Sequence, residues 1–204
     1  MSLHGYLRNN SFWAPSSDEK FRAVLNQKDD IRLMIFGVFI ITASRLIISK
    51  YIFTPIAGHY GIKPEKSSLS RGKFHKLKND IKHKKFIESA WRLVFFTTMF
   101  TYGVYSLIRE DFSFNVYYLY LPYPNVLTDS MYLYYLIEIS YYISGVVWLF
   151  IEVKRKDFFA HLLHHAVTIF LVGLSYMSCF TRVGTITLCL HDAADIFMEI
   201  KYAQ

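Results

Sequence analysis

Apolar runs, each close to the length of a membrane span, alternate with shorter polar stretches along the 204 residues of this chain. A helix rises 1.5 Å per residue, so roughly twenty apolar residues cross the hydrocarbon layer of a bilayer. Five runs reach that length: Leu33–Phe53, Trp91–Ile108, Tyr132–Ile151, Leu162–Phe180 and Val183–Ile200. The pattern predicts an all-α fold, a polytopic transmembrane helical bundle with about five spans.

The fifth run differs from the others because it carries several ionisable residues. Its polar members are His191, Asp192, Asp195 and Glu199. Such a helix can lie in a bilayer only if its polar face is turned toward protein or water. We therefore expect this helix to line a cavity.

Composition agrees with a membrane protein. The chain is 53% hydrophobic and 18% aromatic, which is too apolar for an ordinary soluble domain. Its two cysteines, Cys179 and Cys189, both fall in predicted spans. Neither a disulfide framework nor a cysteine-based metal site is therefore expected.

Charge predicts the orientation in the membrane. The loop between the first two spans has nine basic and three acidic residues up to Glu88, a net +6 of the chain's +7, which predicts a cytosolic loop. The next loop is acidic and aromatic, which predicts the lumenal side, and the loop with Lys154, Arg155 and Lys156 returns to the cytosol. The N-terminus is then lumenal, and Asn9 lies there in a glycosylation sequon.

Basic residues beside a membrane are explained by topology and by attraction to anionic lipid, so the lipid bilayer is the expected partner and nucleic acid is not. We divide the chain into two parts. Residues 1–85 contain the N-terminal lumenal segment, the first transmembrane helix and the basic cytosolic loop, and residues 86–204 form the second part.

Histidines on the fourth predicted span form a stripe. His161, His164, His165 and Thr168 stand at i, i+3, i+4 and i+7, positions that share one helix face. On the next span His191, Asp195 and Glu199 recur every four residues, with Asp192 three residues before Asp195. A short connection makes the two helices antiparallel neighbours, so we expect the stripes to face each other.

Ionisable side chains at bilayer depth mark a functional site by default. A carboxylate beside a histidine suits general-base or nucleophilic catalysis. The competing interpretation is a set of interhelical hydrogen bonds that hold the bundle together.

Two metal interpretations compete with catalysis by the side chains alone. The run His161-x-x-His164-His165 has the form of a histidine box of membrane di-iron desaturases and hydroxylases, but a second such box is missing. A single zinc ion held by His164 or His165, His191 and Asp195 is the other alternative. We predict no metal.

The segment from Ile151 to Tyr202 contains VKRKDF, paired histidines, RVGT and LHD-x-x-D. It resembles the longevity-assurance signature of the ceramide synthases (sphingosine N-acyltransferases), in the TRAM-Lag-CLN (TLC) membrane domain. Earlier segments are also similar to that family: TPIAGHYGIK, KFIESAWRLVFF and YYLIEISYY. The resemblance runs from the end of the first span to the last residue.

This resemblance implies transfer of a fatty acyl group from acyl-CoA to the amino group of a sphingoid base, in the endoplasmic reticulum membrane. It implies acyl-CoA as co-substrate and no other cofactor. We expect His164 and His165 to be the catalytic pair and His191, Asp192 and Asp195 to orient them. Whether the acyl group passes through a histidine stays open.

Four further residues are candidates for substrate binding. Lys154, Arg155 and Lys156 are placed to meet the phosphates of CoA. Glu138, in the third span, is expected to close the polar cavity from the opposite wall, or to bond a neighbouring tyrosine instead.

Members of this family typically continue beyond the acidic helix with further spans, so we expect the chain to be truncated at its C-terminal end. The alternative is a non-catalytic TLC-domain membrane protein that binds lipid or partners a complete enzyme, and a homo- or hetero-dimer is open in either case. A fragment of a di-iron desaturase or hydroxylase is the weaker alternative.

Overall fold

A computed structural model describes residues 27–62, 73–109, 119–120, 125, 127–151 and 158–203. Its regular elements are helices: α1 (Gln27–Ile48), α2 (Thr54–His59), α3 (Lys73–Ile108), α4 (Asp129–Ile151), α5 (Phe158–Met177) and α6 (Thr181–Ala203). A π-helical turn, Ser49–Phe53, joins α1 to α2 without a break. The described part contains no strand, so the predicted all-α fold is confirmed. Asn9, Lys154, Arg155 and Lys156 lie outside the described residues.

Three described segments are long and apolar enough to cross a membrane: Asp29–His59, Asp129–Ile151 and Phe158–Met177. The first is longer than predicted because the helix continues through the π-helical turn. Helices α3 and α6 occupy the second and fifth predicted spans, but their described parts do not reach the same hydropathy. The multi-pass helical bundle is confirmed, and the crossing of these two helices stays a prediction.

Large apolar side chains point outward from α1 and α5. Phe39 is 69% exposed and Phe159 is 81% exposed. Outward-facing apolar surface of this kind is typical of helices in contact with lipid, since in water it would oppose folding. These two helices therefore present a surface that suits the bilayer.

Helix α4 is the centre of the bundle, in contact with α1, α3, α5 and α6. It runs parallel to α1: Tyr132 bonds Asp30 near the start of both helices, and Ser144 bonds Thr42 farther along both. Gly37 allows the two helices to approach closely, because a Cβ atom there would lie 2.5 Å from the hydroxyl oxygen of Ser140. The site described below is built around α4.

Aromatic side chains fill the contact between α3 and α4. Phe95 stacks on Tyr141 with ring centroids 3.7 Å apart, and Phe96 meets Tyr141 edge to face at 5.3 Å. Trp91 is also buried, and Tyr134 and Tyr142 are fully buried. Offset-stacked and edge-to-face pairs stabilise a bundle beyond the area that they bury. The packing of these rings fixes the rotation of α4, and so determines which of its side chains face α5 and α6.

Candidate active site

Two imidazoles and one carboxylate meet where α5 and α6 cross. The Nε2 atom of His191 lies 3.4 Å from the Nε2 atom of His164, and their rings stack with centroids 4.9 Å apart. The same nitrogen of His191 lies 3.6 Å from an oxygen of Asp195, one helical turn farther along α6. The predicted stripes of α5 and α6 therefore meet at His164, His191 and Asp195, whereas Glu199 contacts α3.

The position of Asp195 favours one arrangement of protons. A carboxylate oxygen repels a lone pair, so it favours the tautomer of His191 with its proton on Nε2. That N–H then bonds the Nε2 lone pair of His164, because one ring nitrogen of a neutral imidazole donates and the other accepts. At 3.6 Å the Asp195 oxygen makes no hydrogen bond to His191, and it acts on the pair through its charge. The arrangement leaves the Nε2 atom of His164 as the basic atom of the group.

An apolar groove begins at this histidine pair. Its volume is about 600 Å³, and it runs between α5 and α6 from His164 and His191 toward Ser178 and Phe180. Its walls are mostly aliphatic, including Val167, Leu171, Leu174, Val183 and Leu188. Residues 164 and 178 are separated by roughly 21 Å along a helix, so the groove is long enough for an alkyl chain. Of the polar residues expected to line a cavity beside α6, His191 lines this groove, whereas Asp192, Asp195 and Glu199 do not.

The second histidine of the pair, His165, lies on a different side of α5. Its Nε2 atom would be 3.2 Å from a Cβ atom at Gly145, so the ring rests against the backbone of α4. The ring of Tyr142 lies between the three histidines, with its centroid 5.4 Å from that of His165 and 6.2 Å from those of His164 and His191. Among the described residues, neither the Tyr142 hydroxyl nor the Nδ1 atom of His165 has a hydrogen-bond partner.

Asp192 contacts a tyrosine instead of a histidine. Tyr134 donates a hydrogen bond of 2.6 Å to one oxygen of Asp192, and both side chains are fully buried. Consecutive residues of a helix point about 100° apart, so His191 faces α5 while Asp192 faces α4. The structure thus separates the two acids that were expected to orient the histidines together: Asp195 approaches them, and Asp192 does not.

Glu138 is fully buried on α4, and its two oxygens have no hydrogen-bond partner within the described part of the chain. The alternative interpretation, a bond to a neighbouring tyrosine, is therefore not observed there. Glu138 does not line the groove between α5 and α6 either. It lies behind the histidine site, on the helix that also carries Tyr134 and Tyr142.

A buried ion pair forms at Glu199, the last of the polar residues named on α6. The Nε atom of Arg92 lies 2.7 Å from one oxygen of Glu199, and the hydroxyl of Ser89 donates to the other. Arg92 and Ser89 belong to α3, which packs along α6. The pair therefore fixes the rotation of α6, and with it the direction of Asp195 and His191.

His164, His191 and Asp195 are also a group that could hold a metal ion, since one ligand atom from each lies within 4.8 Å of the others. His165 does not belong to this group, which narrows the zinc alternative to a single set of ligands. Two imidazoles and a carboxylate are donors that zinc accepts, with a fourth position left for water.

Sequence reasoning missed the contribution of α3 and α4. Tyr134, Tyr142 and Gly145 contact the histidine or acidic residues, but they lie in aromatic or apolar stretches where polarity gives no signal. Arg92 contacts Glu199, and its charge at the start of an apolar run is the signal that could have found it. Thr168, in contrast, was expected on the histidine stripe, yet its hydroxyl bonds the carbonyl of His164 in its own helix. It adds nothing to the polar group.

The fold and this site together define an α-helical multi-pass membrane protein with a histidine–carboxylate centre at the head of an apolar groove. Residues 85–204 match the family model of the TLC domain, which is more than half of the chain. The chain belongs to the TLC domain family.

Curated relatives carry the names of ceramide synthases. The chain is 38% identical to "Ceramide synthase 5" of Homo sapiens over 116 residues, which is 56% of this chain and 30% of that relative. It is 36% identical to "Ceramide synthase hyl-1" of Caenorhabditis elegans over 117 residues, 57% of this chain and 32% of that relative. The chain thus matches about a third of the length of these ceramide synthases.

A longer match is found in a plant protein. The chain is 31% identical to "ASC1-like protein 3" of Oryza sativa subsp. japonica over 175 residues. That match covers 81% of this chain and 57% of the relative. The similarity therefore includes most of the described helices, beyond the region of the family model.

Proposed function

We propose that this chain is the catalytic part of a ceramide synthase, which transfers a fatty acyl group from acyl-CoA to the amino group of a sphingoid base in the endoplasmic reticulum membrane. The observation that carries the proposal is the group of His164, His191 and Asp195 at the head of an apolar groove. A reaction between two long-chain substrates needs a base at the place where their chains end. Relatives with the name ceramide synthase supply the reaction class.

The reaction begins with a proton that has to be removed. A sphingoid amine is mostly an ammonium at neutral pH, and its nitrogen has no lone pair until one proton leaves. The Nε2 lone pair of His164 accepts this proton after it releases the hydrogen bond from His191, and the nearby charge of Asp195 stabilises the resulting imidazolium. The free amine then attacks the thioester carbon.

The next step forms the amide. The new C–N bond places negative charge on the thioester oxygen, and the C–S bond breaks when the carbonyl is restored. The second proton of the nitrogen leaves, and the CoA thiolate takes up one proton to become a thiol. Per turnover one ammonium and one thioester give one amide, one thiol and one released proton. His165 is the proposed donor to the charged oxygen, and because it does not line the groove, this role requires the thioester to lie past His164 toward Tyr142.

The two ends of acyl-CoA lie in different environments. In this proposal the acyl chain occupies the groove between α5 and α6, and the CoA head stays in the cytosol, where Lys154, Arg155 and Lys156 meet its phosphates. The reaction uses acyl-CoA as co-substrate and no bound metal. Loss of activity on chelation and its recovery with zinc would instead favour the zinc alternative at His164, His191 and Asp195.

The direct test is N-acylation in membranes that lack any endogenous synthase. The chain is expressed there, and formation of ceramide from acyl-CoA and sphinganine is measured by mass spectrometry. We expect product with the unchanged chain, at least 10²-fold less with His164→Ala because the base is lost, and an unchanged rate with the control His59→Ala, whose imidazole is exposed on α2.

Absence of product with the unchanged, membrane-inserted chain would contradict the proposal. If the chain increases the activity of a complete synthase that is added to the same membranes, the non-catalytic partner is the function instead. Equal rates for His164→Ala and the unchanged chain would remove His164 from the mechanism.

A single-turnover experiment distinguishes direct attack from an acylated histidine. Purified protein is mixed with acyl-CoA alone, and free CoA thiol is measured. Only the covalent route releases one CoA per protein molecule in the absence of the amine. The basic lone pair of His164 makes that residue the expected acceptor, and His164→Ala is then expected to release none.

A further inference from the structure

A second cavity lies on the other face of α5, at the opposite end of the bundle from the histidines. Its volume is about 260 Å³, and α1, α4 and α5 form its walls. Its apolar lining residues are Ile31, Met34, Leu136, Ile139, Val172 and Met177. The proposed reaction does not use this cavity.

A single carboxylate lies at the edge of this cavity, held by two phenols. Tyr132 donates a hydrogen bond of 2.7 Å to one oxygen of Asp30, and Tyr176 donates one of 3.2 Å to the other. The two rings are 6.5 Å apart between centroids. A carboxylate has about four lone-pair positions, so these bonds orient Asp30 and leave further positions for a cationic donor.

We propose that Asp30, Tyr132 and Tyr176 bind the ammonium group of a single-chain amine lipid, with its alkyl chain in the cavity. An ammonium that bonds Asp30 lies beside two electron-rich rings, which add cation–π attraction. The cavity walls expose almost no polar surface, so they suit a hydrocarbon tail. Its volume is near the lower end of the range for ligand sites, about 300 Å³, which favours one chain over two.

This site is separate from the proposed reaction centre. Tyr176 lies twelve residues after His164 on α5, roughly 18 Å along the helix axis, so a lipid with its amine at Asp30 does not present that amine to His164. The two cavities nevertheless share Tyr135 and Val172 as walls. The proposal does not depend on the proposed acyl transfer, and its test needs no turnover.

The test measures binding of octadecylamine to the purified full chain in phosphatidylcholine nanodiscs. A photoactivatable octadecylamine labels the protein, and mass spectrometry identifies the labelled peptides. Unlabelled octadecylamine and octadecanol, which has the same chain and no charge, compete with the probe. The variant is Asp30→Asn, and the matched control is Asp29→Asn, which removes a neighbouring carboxylate that is exposed and paired with Arg32.

We expect saturable labelling near Met34 and Met177, and competition about tenfold stronger by the amine than by the alcohol, because the ammonium bonds a charged partner. Asp30→Asn is expected to abolish that difference, and Asp29→Asn to preserve it. Labelling should persist in His164→Ala, which separates failure of the reaction from failure of this site.

Equal competition by amine and alcohol, or an unchanged preference in Asp30→Asn, would overturn the proposal. Labels confined to the groove between α5 and α6 would overturn it as well. If phosphatidylethanolamine in the nanodisc displaces the probe as well as octadecylamine does, the occupant is a two-chain lipid and the single-chain assignment is wrong.

Discussion

The imidazole of His165 lies against the backbone of α4 because Gly145 has no side chain. Any Cβ atom at that position would be 3.2 Å from Nε2, closer than ordinary van der Waals contact. The ring would have to move by a few tenths of an ångström from the position that its proposed role requires. A single methyl group therefore tests the placement of this histidine.

We expect Gly145→Ala to lower the rate of N-acylation by on the order of tenfold, since small displacements of catalytic groups have large effects on rate. Alanine is the better helix former, so thermal stability should change by no more than about 1 kcal/mol. The matched control is Gly173→Ala on α5, where a Cβ atom would meet nothing within 4 Å. Equal rates for the two variants would show that the position of His165 does not matter for the reaction.

Residue spacing predicted part of the site and not the rest. The meeting of His164, His191 and Asp195 follows from helical periodicity and one short connection, both of which can be obtained from sequence. Asp192 also follows the periodicity, and its position next to His191 already implies that it faces another helix. Which residue Asp192 meets depends on where α4 lies and how it is rotated. The sequence of a helix that is apolar on all sides does not indicate which side faces inward.

Among the helices, α6 depends most on its neighbours, because a polar face in a bilayer has to be covered. Helix α3 covers it, and the pair of Arg92 and Glu199 is a charged contact between them. The side chains are 18% and 9% exposed, so each charge has lost most of its contact with solvent. Removal of Arg92 leaves the Glu199 carboxylate buried with the hydroxyl of Ser89 but without this cation.

We expect Arg92→Ala to destabilise the bundle by about 3 kcal/mol, measured as a lower midpoint of thermal unfolding in detergent micelles. The control is Arg32→Ala, which breaks the pair of Arg32 and Asp29, where the side chains are 78% and 55% exposed. An exposed pair contributes at most about 1 kcal/mol. Equal midpoints for both variants would mean that the pair of Arg92 and Glu199 does not hold α6.

Element boundaries were predicted less well than element number. The first span was predicted to end at Phe53, whereas the helix continues through a π-helical turn to His59. Pro55 did not end it, because a proline is tolerated in the first turn of a helix and α2 begins at Thr54. Local propensity alone cannot distinguish a new helix from the continuation of an old one.

At the scale of the whole molecule, the distribution of charge predicts the orientation of the chain in the membrane. We expect a lumenal N-terminus with glycosylation at Asn9. Digestion with an N-glycosidase should then increase the electrophoretic mobility of the unchanged chain expressed in eukaryotic cells, and Asn9→Gln should abolish that shift. A chain without any shift, combined with protease cleavage of the N-terminus from the cytosolic side, would reverse the orientation.

The parallel course of α1 and α4 restricts how the chain is threaded through the bilayer. Two consecutive apolar segments that enter from the same side require the polypeptide to come back in between. Beyond α2, which continues α1, the described element between them is α3, and its last turns lie beside the start of α4, where Tyr102 bonds the carbonyl of Ser130. The parallel course of α1 and α4 therefore supports the predicted crossing of α3, which the hydropathy of α3 alone does not reveal.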